Sequence, residues 1–144
     1  MVPSTHIVMN VSDKRFSARA KKVKKVLTEA LVILKKKNVS LEVHLLTNKE
    51  MVAINKATRG KNVSTNVLSF EAGGFKRIGE NGTEYLGEIY LAPNTVTARK
   101  ENISFLTVHG LFHLLGYTHE GKRDTITMER AEDALLAKLA ERLV

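Results

Sequence analysis

The chain has 144 residues, of which 43% are hydrophobic and 26% are charged, with a net charge of +8 and no cysteine. This composition is typical of a single globular domain, residues 1–144, and it excludes disulfides and thiolate metal ligands. No apolar run approaches the roughly 20 residues that cross a bilayer, and the first residues lack a signal-peptide pattern, so we expect a cytoplasmic protein without membrane contact.

Strand and helix patterns alternate along the first part of the chain. Alternating apolar residues predict a strand at His6–Val11, and apolar positions at helical spacing predict an amphipathic helix from Ser17 to about Lys37. A second strand is expected at Leu41–Leu46. The segment Thr47–Glu50 has the spacing of a capping box, which predicts a short helix that continues to about Thr58.

The middle of the chain is expected to contain two further strands. Val67–Phe70 has strand composition, whereas Glu71–Glu84 contains four glycines and predicts a hairpin-like loop. The fourth strand is expected at Leu86–Leu91 and is closed by Pro93.

The last part of the chain has mainly helical patterns. Helices are expected at Asn94 to about Lys100, at Ile103–Leu115, and from Asp124 to the C-terminus. Four strands and about five helices indicate an α+β or α/β fold, a single domain with a small four-stranded mixed sheet.

Lysine and arginine are concentrated in and around the first predicted helix. The members of this basic stretch are Lys14, Arg15, Lys21, Lys22, Lys24, Lys25, Lys35, Lys36 and Lys37. A charge run by itself more often marks a solvated helix face than a binding surface. Together with a metal site, a basic chain favours a polyanionic substrate whose phosphates must be neutralised.

Three of the five histidines lie within eleven residues, in the segment HGLFHLLGYTH. Because positions four apart share a helix face, His109 and His113 can direct their imidazoles at one point. Gly116 can end the helix in a left-handed conformation, so that the chain turns and returns His119 as a third ligand. Three imidazoles leave the fourth tetrahedral position of Zn²⁺ open, which is typical of catalytic zinc sites.

The same histidine spacing occurs in metzincin proteases, whose pattern is H-E-x-x-H-x-x-G-x-x-H. Those proteases need a glutamate directly after the first histidine as general base, and this chain has Gly110 there. A conventional zinc protease is therefore disfavoured, although the metal geometry is kept. The isolated His6 and His44 are expected to be packing or surface residues.

Three segments of the chain match the motifs of one known family. HGLFHLLGYTH matches the pattern H-G-x-L-H-L-x-G-Y-D-H except at Phe112 and Thr118, and TRGKNVSTNVLSF at Thr58–Phe70 matches R-G-K-x-x-x-T-[DN]-V-L-S-F. Leu86–Ile89 matches the short strand L-G-[DE]-I that lies between them. In order and spacing, over essentially the full chain, the sequence resembles the YbeY family of bacterial metallo-endoribonucleases.

The resemblance implies a zinc-dependent endoribonuclease specific for single-stranded RNA, which acts in 3′-end maturation of small-subunit (16S) ribosomal RNA and in ribosome quality control. It implies His109, His113 and His119 as ligands of one Zn²⁺, and Arg59 as a functional arginine near the metal. The implied partners are single-stranded RNA, ribosomal RNA and the small ribosomal subunit. Where the family usually has aspartate, this chain has Thr118, which we expect to weaken metal binding without abolishing it.

Phosphodiester cleavage requires stabilisation of charge on the phosphate and an activated nucleophile. Zn²⁺ can polarise a phosphoryl oxygen or lower the pKa of bound water to about 7. The guanidinium of Arg59 can hold phosphate with two parallel hydrogen bonds, and Lys61 can extend the positive patch. No general base is evident, since Glu88 and Glu120 are candidates by residue type only. Aromatic residues at the glycine-rich loop are candidates for stacking on bases: Phe70, Phe75 and Tyr85.

Two other functions stay open from the sequence. One is a ribosome-assembly factor in which Zn²⁺ is structural and the basic helix docks on ribosomal RNA or protein. The other is a metal hydrolase acting on small molecules or peptides, for which the positive charge has no use. The open coordination position favours the nuclease, while the basic stretch fits both ribosomal functions.

Overall fold

The computed structural model describes residues 4–72, 77–78 and 82–143, in which helices cover a mixed β-sheet. The strands in chain order are β1 (His6–Val11), β2 (Val39–Leu45), β3 (Val67–Glu71), the two-residue β4 (Arg77–Ile78) and β5 (Glu84–Leu91). The helices are α1 (Ser17–Ile33), α2 (Asn48–Arg59), α3 (Pro93–Ala98), α4 (Ile103–Leu114) and α5 (Lys122–Arg142).

The four longer strands form the sheet in the order β1-β2-β5-β3. Strand β2 is parallel to both β1 and β5, whereas β3 and β4 run antiparallel to β5. The expected α+β fold with a small four-stranded mixed sheet and five helices is therefore confirmed, with β4 as a short addition beside β5.

The main hydrophobic core lies on one face of this sheet. Leu41, Val43 and Leu45 of β2 and Ile89 and Leu91 of β5 are fully buried there. Helix α1 packs into the same core with one apolar face: Val23, Val26, Leu27, Ala30 and Leu31. Each fully buried aliphatic side chain stabilises the fold by roughly 1.5–3 kcal/mol, so helices that pack on this face are firmly held.

Helix α2 packs on the opposite face of the sheet. Its buried Met51 forms a second, smaller apolar cluster with Leu68 and Ala92. Thr47 and Glu50 form the expected capping box at the N-terminus of the helix. This packing holds α2 beside β3, so the last residue of the helix lies near the edge of the sheet.

Several element boundaries differ by a few residues from the sequence-based expectation. Helix α1 ends at Ile33 and not near Lys37, because Lys35 adopts a left-handed conformation with φ 56°. Strand β5 begins at Glu84, since its pairing with β2 extends to Val39. Pro93 is the first residue of α3, where the missing N–H of proline is no loss.

The expected glycine-rich loop at Glu71–Glu84 lies partly outside the described residues, namely at positions 73–76 and 79–81. Among the described helices, none combines the length and apolar character needed to cross a bilayer.

Candidate metal centre

Helix α4 presents two of the three grouped histidines one turn apart. The Nε2 atoms of His109 and His113 lie 3.2 Å from each other. His119 follows α4, and its ring centre lies 4.8 Å from each of the other two ring centres. One nitrogen atom from each imidazole lies within 4.8 Å of the other two, so the group could hold a metal ion. The structure thus brings all three histidines together.

The chain reverses after α4 through a Schellman turn. Gly116 has a φ of +100°, and its N–H donates to the carbonyl of His113 at 3.1 Å. The N–H of Tyr117 donates to the carbonyl of Phe112 at 3.0 Å, and their rings pack edge to face at 5.0 Å. The left-handed position of this motif favours glycine. The expected role of Gly116 is confirmed, and the turn directs His119 back towards α4.

Hydrogen bonds fix the outer nitrogen atoms of two of the histidines. Nδ1 of His109 lies 3.0 Å from Oε2 of Glu132, and Nδ1 of His113 lies 3.0 Å from the carbonyl of Tyr117. A carbonyl or an ionised carboxylate only accepts, so each Nδ1 donates, and in the neutral imidazole Nε2 then keeps its lone pair. Metal-ligating histidines usually have such an outer partner. The donor set therefore fits a metal ion that takes imidazole nitrogen ligands.

The environment of His113 favours its neutral form. Burial lowers the pKa of His113 below the ordinary value of 6.5, and the nearby charges of His109 and His119 lower it further. The hydrogen bond to the Tyr117 backbone acts in the opposite direction and is a smaller influence. Because metal binds the neutral imidazole, this shift favours the ligand form of His113 over a wider range of pH.

Gly110 explains why the protease base is missing at this position. It is buried against the sheet, and a Cβ atom built on it would lie 3.1 Å from the Cγ2 atom of Ile89. A glutamate at this point would therefore be directed into the core and away from the histidines. The position after His109 serves close packing of α4 on β5, which is consistent with the disfavoured protease reading.

A cleft of about 590 Å³ opens beside the histidines, and Arg59 forms part of its lining. Arg59 is the last residue of α2, which ends at Gly60 with a φ of +70°. Its charge is among the influences that lower the pKa of His113, after burial and the other histidines. Within the described ranges, no hydrogen bond or ion pair engages its guanidinium. The guanidinium is therefore available to an anionic ligand.

The connection from α2 to β3 is anchored on both sides. Asn55 of α2 is buried, and its Nδ2 donates to the carbonyl of Val63 at 2.9 Å. The hydroxyls of Ser64 and Thr95 lie 2.7 Å apart and share a hydrogen bond. The motif TRGKNVSTNVLSF thus forms a helix end, an anchored connection and a strand along the cleft.

The charged candidates other than Arg59 lie away from the cleft. Glu88 alternates along β5 with the buried Ile89, so it faces the other side of the sheet. Glu120 and Lys61 are exposed and do not contribute to the lining of the cleft. The basic stretch around α1 is exposed as well and does not line it.

Two aromatic residues lie in the cleft. Phe70 contributes to the lining and packs edge to face against Tyr90. Phe105, which the sequence analysis overlooked, is 40% exposed, and its ring lies nearly parallel to His109 with centres 6.1 Å apart. Tyr85 does not line the cleft, and Phe75 falls outside the described residues.

Glu132 is the second residue that the sequence analysis overlooked. It is only 2% exposed and holds the outer nitrogen of His109. Its position was detectable, because it follows Met128 by four residues and precedes Leu135 by three on the apolar face of α5. A charged residue on such a face requires a partner, since an unpaired buried carboxylate is costly.

Thr118 contacts the first turn of α5. This residue stands where the family that the sequence resembles usually has aspartate. Its hydroxyl donates to Oδ2 of Asp124 at 3.2 Å. A carboxylate is therefore present beside this position although the chain lacks the aspartate itself. The expected weakening of metal binding stays a prediction.

Comparisons with known proteins agree with this geometry. The family profile described as Endoribonuclease YbeY matches residues 7–140. A protein named Endoribonuclease YbeY from Bartonella henselae is 42% identical over 113 residues, which cover 72% of this chain and 71% of that protein. A protein of the same name from Neorickettsia sennetsu is 31% identical over 137 residues, covering 92% of this chain and 96% of that protein.

A solved structure is also similar. The solution structure of a protein from Thermotoga maritima covers 94% of this chain and 93% of its own, with a TM-score of 0.56. At 21% sequence identity, this likeness supports the fold alone. The profile match and the sequence identities confirm the resemblance drawn from the motifs: the chain belongs to the Endoribonuclease YbeY family of RNA-cleaving hydrolases.

Proposed function

We propose that this protein is a zinc-dependent endoribonuclease that cleaves single-stranded RNA. In this proposal His109, His113 and His119 bind the metal, and Arg59 binds the phosphate at the cleavage site. The observation that carries it is that three imidazoles and a guanidinium, which has no partner among the described residues, line one cleft. This arrangement combines a site for a Lewis acid with a site for an anion.

Zinc is the metal that the donor set supports best. Three neutral imidazoles suit Zn²⁺, and the chain offers no thiolate that would make a closed structural site. When bound, Zn²⁺ supplies Lewis-acid chemistry that polarises a phosphoryl oxygen and lowers the pKa of water. Glu132 and the Tyr117 carbonyl orient two of the three ligands for this purpose.

Arg59 supplies the fixed positive charge of the site. Negative charge builds on the phosphate oxygens as a phosphodiester is cleaved, and a guanidinium can hold two of them at once. Because no carboxylate pairs with the side chain among the described residues, phosphate does not have to displace an ion-pair partner. The anchored connection that follows Gly60 keeps the end of α2 in place.

Single-stranded RNA fits the cleft better than a duplex does. An exposed aromatic ring beside a catalytic site can stack on an unpaired base, and Phe105 has this position next to His109. The bases of a duplex are stacked on one another and cannot reach such a ring. The net charge of +8 strengthens the attraction of any polyanionic strand.

For the biological substrate we propose ribosomal RNA, with 3′-end maturation of 16S rRNA and quality control of the small subunit as the tasks. Family membership and the positive charge support this assignment. It places the protein in the cytoplasm, where ribosomal subunits are assembled.

Cleavage of one labelled RNA, presented as a single strand and as a perfect duplex, tests the proposal. We expect the zinc-loaded protein to cut the single strand and to leave the duplex intact. Removal of the metal with a chelator should stop cleavage, and added Zn²⁺ should restore it. Equal cutting of both forms, or cutting that survives chelation, would contradict the proposal.

A further inference from the structure

A second cluster of metal-ligating side chains lies on the sheet face opposite α4. Glu42 and His44 alternate along β2 with buried core residues, and Glu88 does so along β5. The strand register places Glu42 opposite Glu88 and His44 opposite Tyr90. Three ligating side chains from two adjacent strands therefore share one face, separate from the histidine cleft.

The distances within this cluster suit a common ion better than a direct hydrogen bond. Nε2 of His44 lies 3.5 Å from Oε2 of Glu42 and 3.7 Å from Oε1 of Glu88. Charge-assisted N–H···O bonds are shorter, at about 2.7–2.9 Å. Two neighbouring ligands bound at about 2.1 Å to one ion are about 3.0 Å apart in octahedral coordination and about 3.4 Å apart in tetrahedral coordination. The observed separations lie slightly above this range, and one ligand atom of each of the three residues lies within 4.8 Å of the others.

The Nε2 atom of His44 is a buried polar atom that lacks a hydrogen-bond partner among the described residues. It is shielded from solvent and makes no hydrogen bond in the part of the chain that the structure describes. An unsatisfied buried polar atom is costly, so such an atom is usually satisfied by a partner such as a water molecule or an ion. This atom points between two carboxylates, which is where a cation is electrostatically favoured.

Neighbouring side chains hold the ligands in place. The His44 ring stacks on Tyr90 with centres 4.4 Å apart and an interplanar angle of 12°. The Tyr90 hydroxyl donates to Oε2 of Glu88 at 2.8 Å, which leaves Oε1 directed at His44. Burial, together with this hydrogen bond, raises the pKa of Tyr90 to about 12, so the hydroxyl keeps its proton.

The outer nitrogen of His44 also has a neighbour. The amide of Asn10 lies 3.4 Å from Nδ1. An asparagine amide can present either its nitrogen or its oxygen by a rotation of 180°. With the oxygen towards the ring, Nδ1 donates to Asn10 and Nε2 keeps the lone pair that a metal requires.

We propose that Glu42, His44 and Glu88 form a second metal site that binds a divalent transition-metal cation of the Mn²⁺ class. Carboxylates suit Mn²⁺, Mg²⁺ and Ca²⁺, and the imidazole disfavours Mg²⁺ and Ca²⁺, since these two ions take oxygen ligands. Because its ligands come from β2 and β5, a bound ion ties together the two central strands of the sheet. This site does not depend on the nuclease proposal, since it shares no residue with the histidine cleft.

Titration of the full chain with Mn²⁺, followed by the electron paramagnetic resonance signal of the free ion, tests the site. The His109→Asn variant serves as the background, because it removes a ligand of the first site. In this background variant we expect one equivalent of Mn²⁺ to bind tightly and to raise the melting temperature. Adding Glu88→Gln or His44→Phe should weaken this binding about tenfold or more. Adding Glu71→Gln, which removes an exposed carboxylate on β3 as a matched control, should leave Mn²⁺ binding unchanged.

Both test substitutions are chosen to keep the fold. Glutamine can still accept from the Tyr90 hydroxyl, and phenylalanine can still stack on the Tyr90 ring. Circular dichroism of the metal-free variants checks this, and Glu88→Gln alone decides the matter if His44→Phe unfolds. Absence of Mn²⁺ binding at micromolar concentration in the background variant, or equal binding with Glu88→Gln, would overturn the proposal.

Discussion

The carboxylate of Glu132 lies 3.0 Å from Nδ1 of His109, although 23 residues separate them in the chain. This contact joins the buried face of α5 to the histidine pair on α4. It orients the imidazole and sets which nitrogen carries the proton. The candidate metal centre is therefore supported by the core packing of α5 as well as by the local HGLFHLLGYTH turn.

Removing the charge of Glu132 tests this positioning role. We expect Glu132→Gln to keep the fold and to lower the affinity for Zn²⁺ about 10- to 100-fold, since an amide oxygen supports the imidazole less well. Competition with a chromophoric chelator measures the affinity. Glu129→Gln is the matched control, because Glu129 lies one turn away in the same cleft. Wild-type affinity in Glu132→Gln would show that the contact is structural only.

The lowered pKa of His113 predicts a pH-dependent stability in the metal-free protein. The unfolded chain protonates this imidazole near pH 6.5, whereas burial and the neighbouring histidines delay protonation in the native state to lower pH. The unfolded state therefore binds more protons below pH 6.5, and the free energy of unfolding falls as the pH decreases. Urea unfolding between pH 8 and pH 5 measures this dependence, because the midpoint of the transition reports stability. A His113→Gln variant should lose this part of the pH dependence. If the free energy of unfolding changes with pH in the same way in both proteins, His113 is not its source.

Phe105 is expected to stack on an unpaired base of the substrate. Stacking of this kind contributes about 1–3 kcal/mol per base, so Phe105→Ala should raise KM for single-stranded RNA about fivefold to a hundredfold. Phe105→Trp should retain binding because it keeps an aromatic face. Ile126→Ala is the control, since Ile126 is also 40% exposed but lies outside the cleft lining. If Phe105→Ala binds and cleaves like the wild type, the stacking role is wrong.

The basic stretch is expected to act by charge and at a distance from the cleft. Replacing Lys21, Lys22, Lys24 and Lys25 by glutamine should leave cleavage of a short oligonucleotide unchanged, because these side chains lie on the exposed face of α1. Binding to long RNA or to the small subunit should weaken and become less sensitive to salt. The slope of log affinity against log salt concentration, measured for both proteins, decides this. Loss of short-substrate cleavage would place these lysines in the active cleft and contradict the structure.

Much of the fold was predictable because its elements follow simple periodic patterns. The capping box at Thr47 and the left-handed Gly116 are local features, and the structure has both. The end of α1 was not predictable in this way, because Lys35 adopts a left-handed conformation that lysine rarely favours. The N–H groups of Lys35 and Lys36 donate to the carbonyls of Val32 and Leu31 in a helix-end turn, and this turn lacks the glycine that would have marked it in the sequence.

The site was predictable in part for the same reason. Two histidines on one helix and a glycine turn are local, so their convergence followed from spacing. The contact of Glu132 with His109 depends on the packing of α5 on α4, and the grouping of His44 with Glu88 depends on strand order. The expectation that His44 is only a packing or surface residue is therefore incomplete, because tertiary structure gives it two carboxylate neighbours.

The central claim is that Arg59 handles phosphate at a metal centre built from the three histidines. The most direct measurement is cleavage of a labelled single-stranded RNA by zinc-loaded wild type, Arg59→Ala and the control Arg99→Ala, with the zinc content of each protein determined in parallel. We predict that Arg59→Ala keeps its zinc and loses about a hundredfold or more in cleavage rate, while Arg99→Ala behaves like the wild type. Equal cleavage by Arg59→Ala and the wild type would contradict the claim.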